Sequence, residues 1–273
     1  MPMHLIQSLW QGTQFVRASL LLHGVVLIAT LIWPEQWLTS LILLALNHLI
    51  IAIVGMLPRS TWLGSNITRL PDAAAQRQEI ALTIDDGPDP EVTPRVLDLL
   101  AEHNIAATFF IIGDKAERYP ELCKEIVQRG HDIENHTQSH QHHFAFLGPD
   151  GFKKELQTAQ ATLTAITGRA PSFFRAPAGN RNPFLEPVLN QLGLKLVSWS
   201  LRGFDTQTGN VERVKRRLLA SLQAGAIVLL HDGNAARTQN KSAVILEVLP
   251  AFIQAAQDAQ LRFVTLRQAQ SSS

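Results

Sequence analysis

Residues 79–88 read EIALTIDDGP. The run Ile80–Ile84 is short and apolar, and it stops on two carboxylates followed by Gly87-Pro88. An apolar run of this length bounded by turn residues reads as a strand buried on both faces. Strands of that kind belong to parallel sheets covered by helices. Two adjacent carboxylates at a strand end are costly unless something positive lies beside them. Their side chains leave the backbone in different directions, so one is free to ligate a metal while the other stays available as a base. Taken alone, Asp85–Pro88 also suits an Asx turn capped by Gly-Pro.

Outward from this stretch the same alternation continues. Ala107–Ile112, Lys195–Ser200, Ala226–Leu230 and Arg262–Leu266 read as buried strands. Pro94–His103, Pro120–Arg129, Phe152–Thr167, Pro183–Leu192, Val211–Gln223 and Lys241–Gln257 carry helical periodicity. Several of these helices open on proline, and Gly130, Gly168 and Gly193 sit where helices stop. Alternating strands and helices predict an α/β fold, a parallel sheet or barrel with helices outside. Chemistry in such folds gathers at the C-terminal ends of strands.

His136 and His140 in HTQSH, at i and i+4, share one face if the stretch is helical, and they can then take neighbouring positions on one metal ion. Solvated histidines are the alternative. A catalytic metal site also needs a carboxylate ligand, which Asp85 or Asp86 can supply, and an open position for water. Three further segments set polar groups after apolar runs: Arg175 in FFRAPAG, Trp199 and Asp205 in SWSLRGFD, and His231-Asp232 in VLLHDG. A surface salt bridge, a core tryptophan and a loop histidine would account for each separately. Arg202 and the pair His142-His143 are candidates to touch an anionic substrate group, with plain surface placement as the alternative.

Two stretches before Pro58 differ from the rest. Residues 1–57 contain only Arg17 and Glu35 as formal charges. Ser19–Trp33 and Trp37–Leu57 are apolar runs separated by the polar turn Pro34-Glu35-Gln36, with Trp33 and Trp37 flanking it as interfacial anchors do. A bilayer core takes ~20 apolar residues as helix, so the second run is long enough and the first is marginal. The pattern predicts a two-pass membrane hairpin. A cleavable signal peptide lacks its cleavage site here, and a buried helix pair is the other alternative, since Asn47 and His48 sit awkwardly in lipid. Charges at Arg17 and Arg59 place both ends in the cytoplasm by the positive-inside rule. Residues 58–78 are polar, with glycine and prolines, and read as a linker to a catalytic domain at 79–270. The triplet Asn66-Ile67-Thr68 matches a glycosylation sequon of the kind that chance often produces.

Composition narrows the function. Net charge is +1, and 17% charged residues is low against ~25% for an average soluble protein. The one basic cluster, Arg213–Arg217, is short and lies in a helical pattern, so nucleic acid is not expected as a partner. Cys123 is the only cysteine, which excludes an intramolecular disulfide.

The motifs TIDDGP (83–88), HTQSH (136–140), RAPAG (175–179), WSLRGFD (199–205) and LLHDG (229–233) occur together and in this order. In them the chain resembles the polysaccharide deacetylases with a NodB-type domain, the family 4 carbohydrate esterases, over roughly Glu79–Gln268. The resemblance implies a distorted (β/α) barrel and a divalent metal, usually zinc, held by Asp86, His136 and His140. It implies Asp85 as general base oriented by Arg175, and His231 as general acid tuned by Asp205. Ala178, Trp199 and Leu229 match positions around the substrate and its oxyanion. The reaction implied is hydrolysis of an N-acyl group, acetyl or formyl, from an amino sugar of a lipid-linked sugar, glycolipid or envelope glycan. In a bacterium the location would be the inner membrane. A catalytically silent glycan-binding or scaffolding member is the alternative. Two departures from the family pattern, Ala178 in place of an aromatic residue and Thr206 in place of a tryptophan, imply an altered substrate groove.

Overall fold

A computed structural model of the chain describes residues 12–271. Residues 1–11 of the expected hairpin segment, and Ser272 and Ser273 of the terminal serine tract, lie outside them. The strands are β1 (Glu79–Gly87), β2 (Thr108–Ile111), β3 (Asp132–Asn135), β4 (Phe173–Phe174), β5 (Lys195–Leu196), β6 (Leu201–Arg202), β7 (Ile227–His231) and β8 (Arg262–Phe263). They form one sheet in the order β5-β4-β3-β2-β1-β7-β6, with β8 pairing the start of β1, and every ladder is parallel. Parallel neighbours need crossovers, and helices supply most of them. The helices are α1 (Gln14–Ile32), α2 (Trp37–Gly55), α3 (Asp72–Gln76), α4 (Thr93–Glu102), α5 (Gly113–Arg118), α6 (Pro120–Gln128), α7 (Pro149–Thr167), α8 (Leu185–Leu192), α9 (Val211–Leu219), α10 (Val244–Asp258) and α11 (Leu266–Ser271). The expected α/β architecture, a curled parallel sheet of the (β/α) barrel type, is present.

β1 is buried along its whole length, and its two faces do different work. Ile80, Leu82 and Ile84 join Phe109, Val228 and Leu230 in the cluster under the helices. Ala81 packs with Phe110, Phe173 and Ile227 on the inner side. Side chains alternate across a strand, so Thr83 and Asp85 continue the inner row. Each fully buried Ile, Leu or Phe contributes roughly 1.5–3 kcal/mol, which fixes the register that aims Asp85 inward.

The sequence reading missed β3, β6, α3, α5 and α11 and ran several elements too long. β3 (DIEN) escaped because its Glu134 is polar yet fully buried. Its carboxylate accepts from Arg267 Nε at 2.6 Å and from the backbone N–H of Ser172 at 2.7 Å and Phe173 at 2.8 Å. Those partners come from distant parts of the chain. Burial still raises the Glu134 pKa to about 7 despite the opposing Arg267 charge.

Residues 58–78 are more than a connector. The N–H of Ile67 donates to Leu196 at 2.9 Å, Ser198 N–H donates to Ile67 at 2.8 Å, and Leu70 N–H donates to Gly225 at 2.9 Å. The segment therefore stitches the chain beyond β5 to the entry of β7, across the open side of the sheet. Leu63, Leu70 and Ala74 are buried in doing so. Polarity hid this, because the segment is held by main-chain pairing. The Asn66 amide donates to the carbonyls of Pro58 and Ser60, so the sequon asparagine is engaged within the fold.

α1 and α2 form an antiparallel pair across the turn Pro34–Gln36. Both are long and apolar enough to cross a membrane, with mean hydropathy 2.1 and 2.2. Their large apolar side chains face outward: Leu31 is 73% and Leu27 62% exposed. Between them the polar groups pair internally, as a lipid setting requires. Asn47 donates to Ser19 Oγ at 2.7 Å and Thr30 to Ser40 Oγ at 2.7 Å. His23 and His48 each bond the carbonyl four residues back. The end of α2 docks on the domain through Arg181 N–H to Gly55 carbonyl at 3.0 Å and Ser198 Oγ to Pro58 carbonyl at 2.6 Å. Gly179 makes that approach possible, since a Cβ there would lie 2.5 Å from Pro58 and 2.9 Å from the Trp199 ring.

The three large clusters of the domain contain no residue before Ile67. Deleting residues 1–57 removes the Gly55 contact and part of the packing around Leu63, on the order of 1–2 kcal/mol. A truncated chain is expected to remain soluble and to melt cooperatively, with Tm lowered by ~2–4 °C per kcal/mol lost. A circular dichroism melt without a cooperative transition would show that the hairpin belongs to the domain core.

Candidate active site

The site lies at the C-terminal ends of β1, β3, β4 and β7. β1 carries a register irregularity between Asp85 and Gly87 where it pairs β2, and Asp86 sits at φ 72°. Asp86 is thereby turned away from its neighbour. Asp85 Oδ1 accepts from Arg175 at 2.6 Å, while Asp86 Oδ1 lies 3.1 Å from Nε2 of both His136 and His140. Gly233 lets the β7 loop close over this turn, because a Cβ there would meet the Asp86 carbonyl oxygen at 2.0 Å.

His136 and His140 do not share a helix face. They lie on the loop after β3, where Thr137 and His140 both adopt positive φ, and the loop folds back to bring the two rings to 4.9 Å. The loop is clamped by Gly113 and Asp114 N–H donating to Thr137 and Gln138 at 3.0 and 2.8 Å. The ligand atoms of Asp86, His136 and His140 all fall within 4.8 Å of one another.

The donor set suits a cation. His136 Nδ1 bonds the Arg175 carbonyl at 2.8 Å, an acceptor only, so that nitrogen carries the proton. Nε2 of the neutral ring is then a lone pair facing a carboxylate oxygen at 3.1 Å. Two acceptors so placed need a positive charge between them, and a ring fixed by a carbonyl is the usual support of a metal-binding histidine.

Arg175 is wholly buried. Besides Asp85 it donates to Thr83 Oγ1 at 2.8 Å, to Val197 carbonyl at 3.2 Å and to Ser198 carbonyl at 3.0 Å. Its guanidinium carbon lies 4.1 Å from the Phe110 ring centre. Asp85 Oδ2, the oxygen Arg175 leaves free, is 3.9 Å from His136 Nε2 and so faces the triad. Asp85 and His231 are register partners on β1 and β7. His231 Nδ1 meets Asp205 Oδ1 at 3.0 Å, and its N–H donates to Asp205 Oδ2 at 2.7 Å. Burial opposes the charged imidazole, but the Asp205 carboxylate prevails and raises the His231 pKa to about 9.

Of the other expected positions, Ala178 is exposed on a tight turn at φ 54°. Trp199 is largely buried between Gly179 and the guanidinium groups of Arg175 and Arg202. Leu229 is buried on the inner face between Thr83 and Arg202. His142 and His143 are exposed at the surface. Cys123 is buried in the helix-side cluster, and its thiol is pushed up to about 12 by burial.

Sequence reasoning missed two polar neighbours, Lys115 and Asn234, and gave Asp232 no role. Lys115 Nζ donates to the Asp86 carbonyl at 2.8 Å and Asn234 Nδ2 to Asp86 Oδ2 at 3.1 Å. Asp232 is fully buried, bonded to Thr93 and Gly233, and burial raises its pKa to about 6. Asn234 follows the HDG motif directly and was findable there; Lys115 carries no local signal.

A parallel barrel-type sheet whose strand ends gather an Asp-His-His cluster, a second carboxylate and a His–Asp pair has the layout of a hydrolase site. The sequence matches the family model described as polysaccharide deacetylase over residues 72–197. A peptidoglycan-N-acetylglucosamine deacetylase of Bacillus cereus is 33% identical over 196 residues, spanning 70% of this chain and 67% of that protein. A chitooligosaccharide deacetylase of Azorhizobium caulinodans is 38% identical over 158 residues, 58% of this chain and 75% of that one. A solved family 4 acetyl xylan esterase from Clostridium thermocellum, in complex with a cobalt ion, superposes with a TM-score of 0.61 at 31% identity, covering 70% of this chain and 89% of its own. The chain belongs to the polysaccharide deacetylase family.

The His231–Asp205 pair generates a direct expectation. With its pKa near 9, His231 is cationic at neutral pH and loses its proton only as pH rises through that value. Asp205→Asn removes the charge that raises the pKa and leaves the burial that lowers it. The imidazole titration followed by NMR should therefore shift to lower pH. An unchanged midpoint would mean that Asp205 does not set the charge of His231.

Proposed function

We propose that this chain is a metal-dependent hydrolase that removes an N-acyl group, acetyl or formyl, from an amino sugar, and that its N-terminal hairpin anchors it to a membrane. The observation that carries the catalytic reading is the convergence of Asp86, His136 and His140, with Asp85 Oδ2 beside them and His231 across the strand pair. An Asp-His-His set with borderline ligands suits zinc. When bound, the ion lowers the pKa of water and polarises the acyl carbonyl. Asp85 takes the proton of the attacking water through Oδ2, since Arg175 occupies Oδ1. The N–H of Ala178 serves the developing oxyanion. His231 points Nε2 away from Asp205 and donates its proton to the leaving amine nitrogen, which releases a carboxylate and a free amino sugar. The second reading, a silent glycan-binding or scaffolding member, is disfavoured because every matched catalytic position carries a competent side chain.

The preferred substrate is a lipid-linked amino sugar or glycolipid. Support comes from α1 and α2, whose exposed apolar faces suit a bilayer, and from their docking beside the site at Arg181 and Ser198. A cavity of about 840 Å³ opens between the hairpin and the loop after Arg181, lined by Phe15, Leu20, Ile28, Ile51, Pro183 and Phe184. An apolar chain fits such a wall. The name of the Bacillus cereus relative, a peptidoglycan deacetylase, favours an envelope polysaccharide as a further reading of the substrate. Arg17 and Arg59 on either side of the hairpin support the cytoplasmic side of what would be a bacterial inner membrane as the location of the domain.

Asp85→Asn is expected to keep its metal and lose kcat by at least ~100-fold, the scale of general-base removal. Asp86→Asn should lose metal first, with activity partly restored by excess ion. Elemental analysis alongside rates decides; equal metal loss in both variants would move the base elsewhere.

Acetate release from polyprenyl-phosphate-linked N-acetylglucosamine in vesicles should exceed release from soluble chitooligosaccharide by ~10-fold or more, through raised effective concentration at the membrane. The 1–57 deletion should erase that preference and keep the soluble activity. A full-length chain that prefers the soluble polymer supports the envelope-polysaccharide reading instead.

A further inference from the structure

Arg202 is a half-buried cation with no carboxylate bound to it. Its guanidinium carbon lies 5.1 Å from the ring centre of Trp199 and 4.8 Å from that of Phe204, and Arg217 sits over the same Phe204 ring at 4.9 Å. Nε is buried and has no hydrogen-bond partner. The acidic groups around it are engaged elsewhere: Asp85 with Arg175, Asp205 with His231, and Asp86 with the two histidines. Among the described residues Arg202 joins no ion pair. Holding a guanidinium partly out of water without an anion is costly, and a fork of N–H donors fixed between two aromatic faces is pre-shaped for a planar or tetrahedral oxyanion.

Its position is set by the sheet. Thr83, Leu229 and Arg202 are partners in one row across β1, β7 and β6, and Asp85 and His231 form the next paired row. The Arg202 side chain thus leaves the inner face one step from the reacting groups. On its other side, Trp199 meets Gly179, which packs on Pro58 where the hairpin joins the domain. Trp199 therefore lies between Arg202 and the joint at which the hairpin meets the domain.

We propose that Arg202 is a specificity residue that binds a phosphate group carried by the substrate, next to the sugar whose acyl group is removed. This rests on the reading of the site as an amino-sugar deacylase. Phosphate is the anion that links a sugar to a membrane lipid or ends a free sugar phosphate, and the guanidinium recognises the group common to both. Neutral glycan chains present nothing for it to bind. The orphaned Nε and one terminal nitrogen would then make a two-pronged contact that only the charged substrate offers.

The test uses the full chain in detergent with zinc added. Binding is measured by calorimetry in the Asp85→Asn background, which suppresses turnover, with N-acetylglucosamine 1-phosphate and N-acetylglucosamine as probes. The phosphorylated sugar is expected to bind at least ~10-fold more tightly, the scale of one charge-assisted contact. Adding Arg202→Gln should erase that difference while leaving affinity for the neutral sugar unchanged; Arg202→Lys should keep part of it. In the Asp85-intact enzyme, Arg202→Gln should raise KM for lipid-linked phosphorylated substrate and for sugar 1-phosphate, with kcat retained. A rise for the lipid-linked substrate alone assigns the natural source to the membrane, and a rise for both admits the free sugar phosphate. A phosphate preference that survives in Arg202→Gln overturns the proposal. So does an equal loss on neutral chitooligosaccharide, which would make Arg202 a structural support of the Asp205–His231 pair. Absence of acetate release from every N-acetylated substrate and of formate release from the N-formylated counterparts would refute the deacylase reading, while the binding difference still decides the role of Arg202.

Discussion

The buried guanidinium of Arg175 is the interaction on which the site depends. Burial penalises its charge, and Asp85 is the group that opposes the penalty. Four acceptors from β1 and the segment after β5 surround it, and Phe110 covers a face. Its own carbonyl orients His136. One residue thus fixes a carboxylate by its side chain and an imidazole by its backbone, so the two sit in register without either being free to rotate. Taking the side chain away would strand Asp85 as an unpaired buried charge, a change that costs about 3–5 kcal/mol in proteins.

Much of this was readable from residue order, and the reasons for success and failure are physical. Where a strand is buried on both faces its apolar run is continuous, so β1, β2 and β7 announced themselves, as did the polar residues at their ends. Asp85, Asp86, Arg175 and His231 were singled out because each follows such a run, and His136 and His140 because of their spacing. The histidine spacing was read as helical, yet the pair meets on a loop bent by two positive-φ residues, which spacing cannot distinguish from a helix face. β3 was invisible because its acid is neutralised by Arg267, which lies 133 residues along the chain. Residues 58–78 were misjudged because main-chain pairing leaves no mark on polarity. Lys115 acts on Asp86 through tertiary placement alone.

The hairpin and the site are joined by a short run of hydrogen bonds. The Pro58 carbonyl accepts from Ser198 Oγ, the Ser198 carbonyl accepts from Arg175, and Arg175 holds Asp85. Three bonds therefore separate the exit of a strongly apolar helix from a carboxylate at the reacting centre. Arg181 reinforces the joint from the neighbouring loop through the Gly55 carbonyl. The hairpin is thus docked on the domain beside the site, not joined to it by a slack tether.

The sheet order carries a consequence for how the chain is made. β1 lies at the centre of the sheet, but two of its partners, β7 and β8, are among the last strands to leave the ribosome. The stitch at Ile67–Leu70 likewise waits for Leu196 and Gly225. Until then β1 has an apolar, unpaired edge, the kind of surface that recruits other strands. Long-range parallel pairing of this sort is slow to form. On the anchoring proposed above, a hairpin that inserts first would keep nascent copies apart on a two-dimensional surface during that interval, and the acidic turn Asp85-Asp86 would discourage edge-to-edge pairing between them. Synthesis without the first helices should thus reveal itself in the yield of soluble protein before it does in the stability of the molecules that succeed in folding.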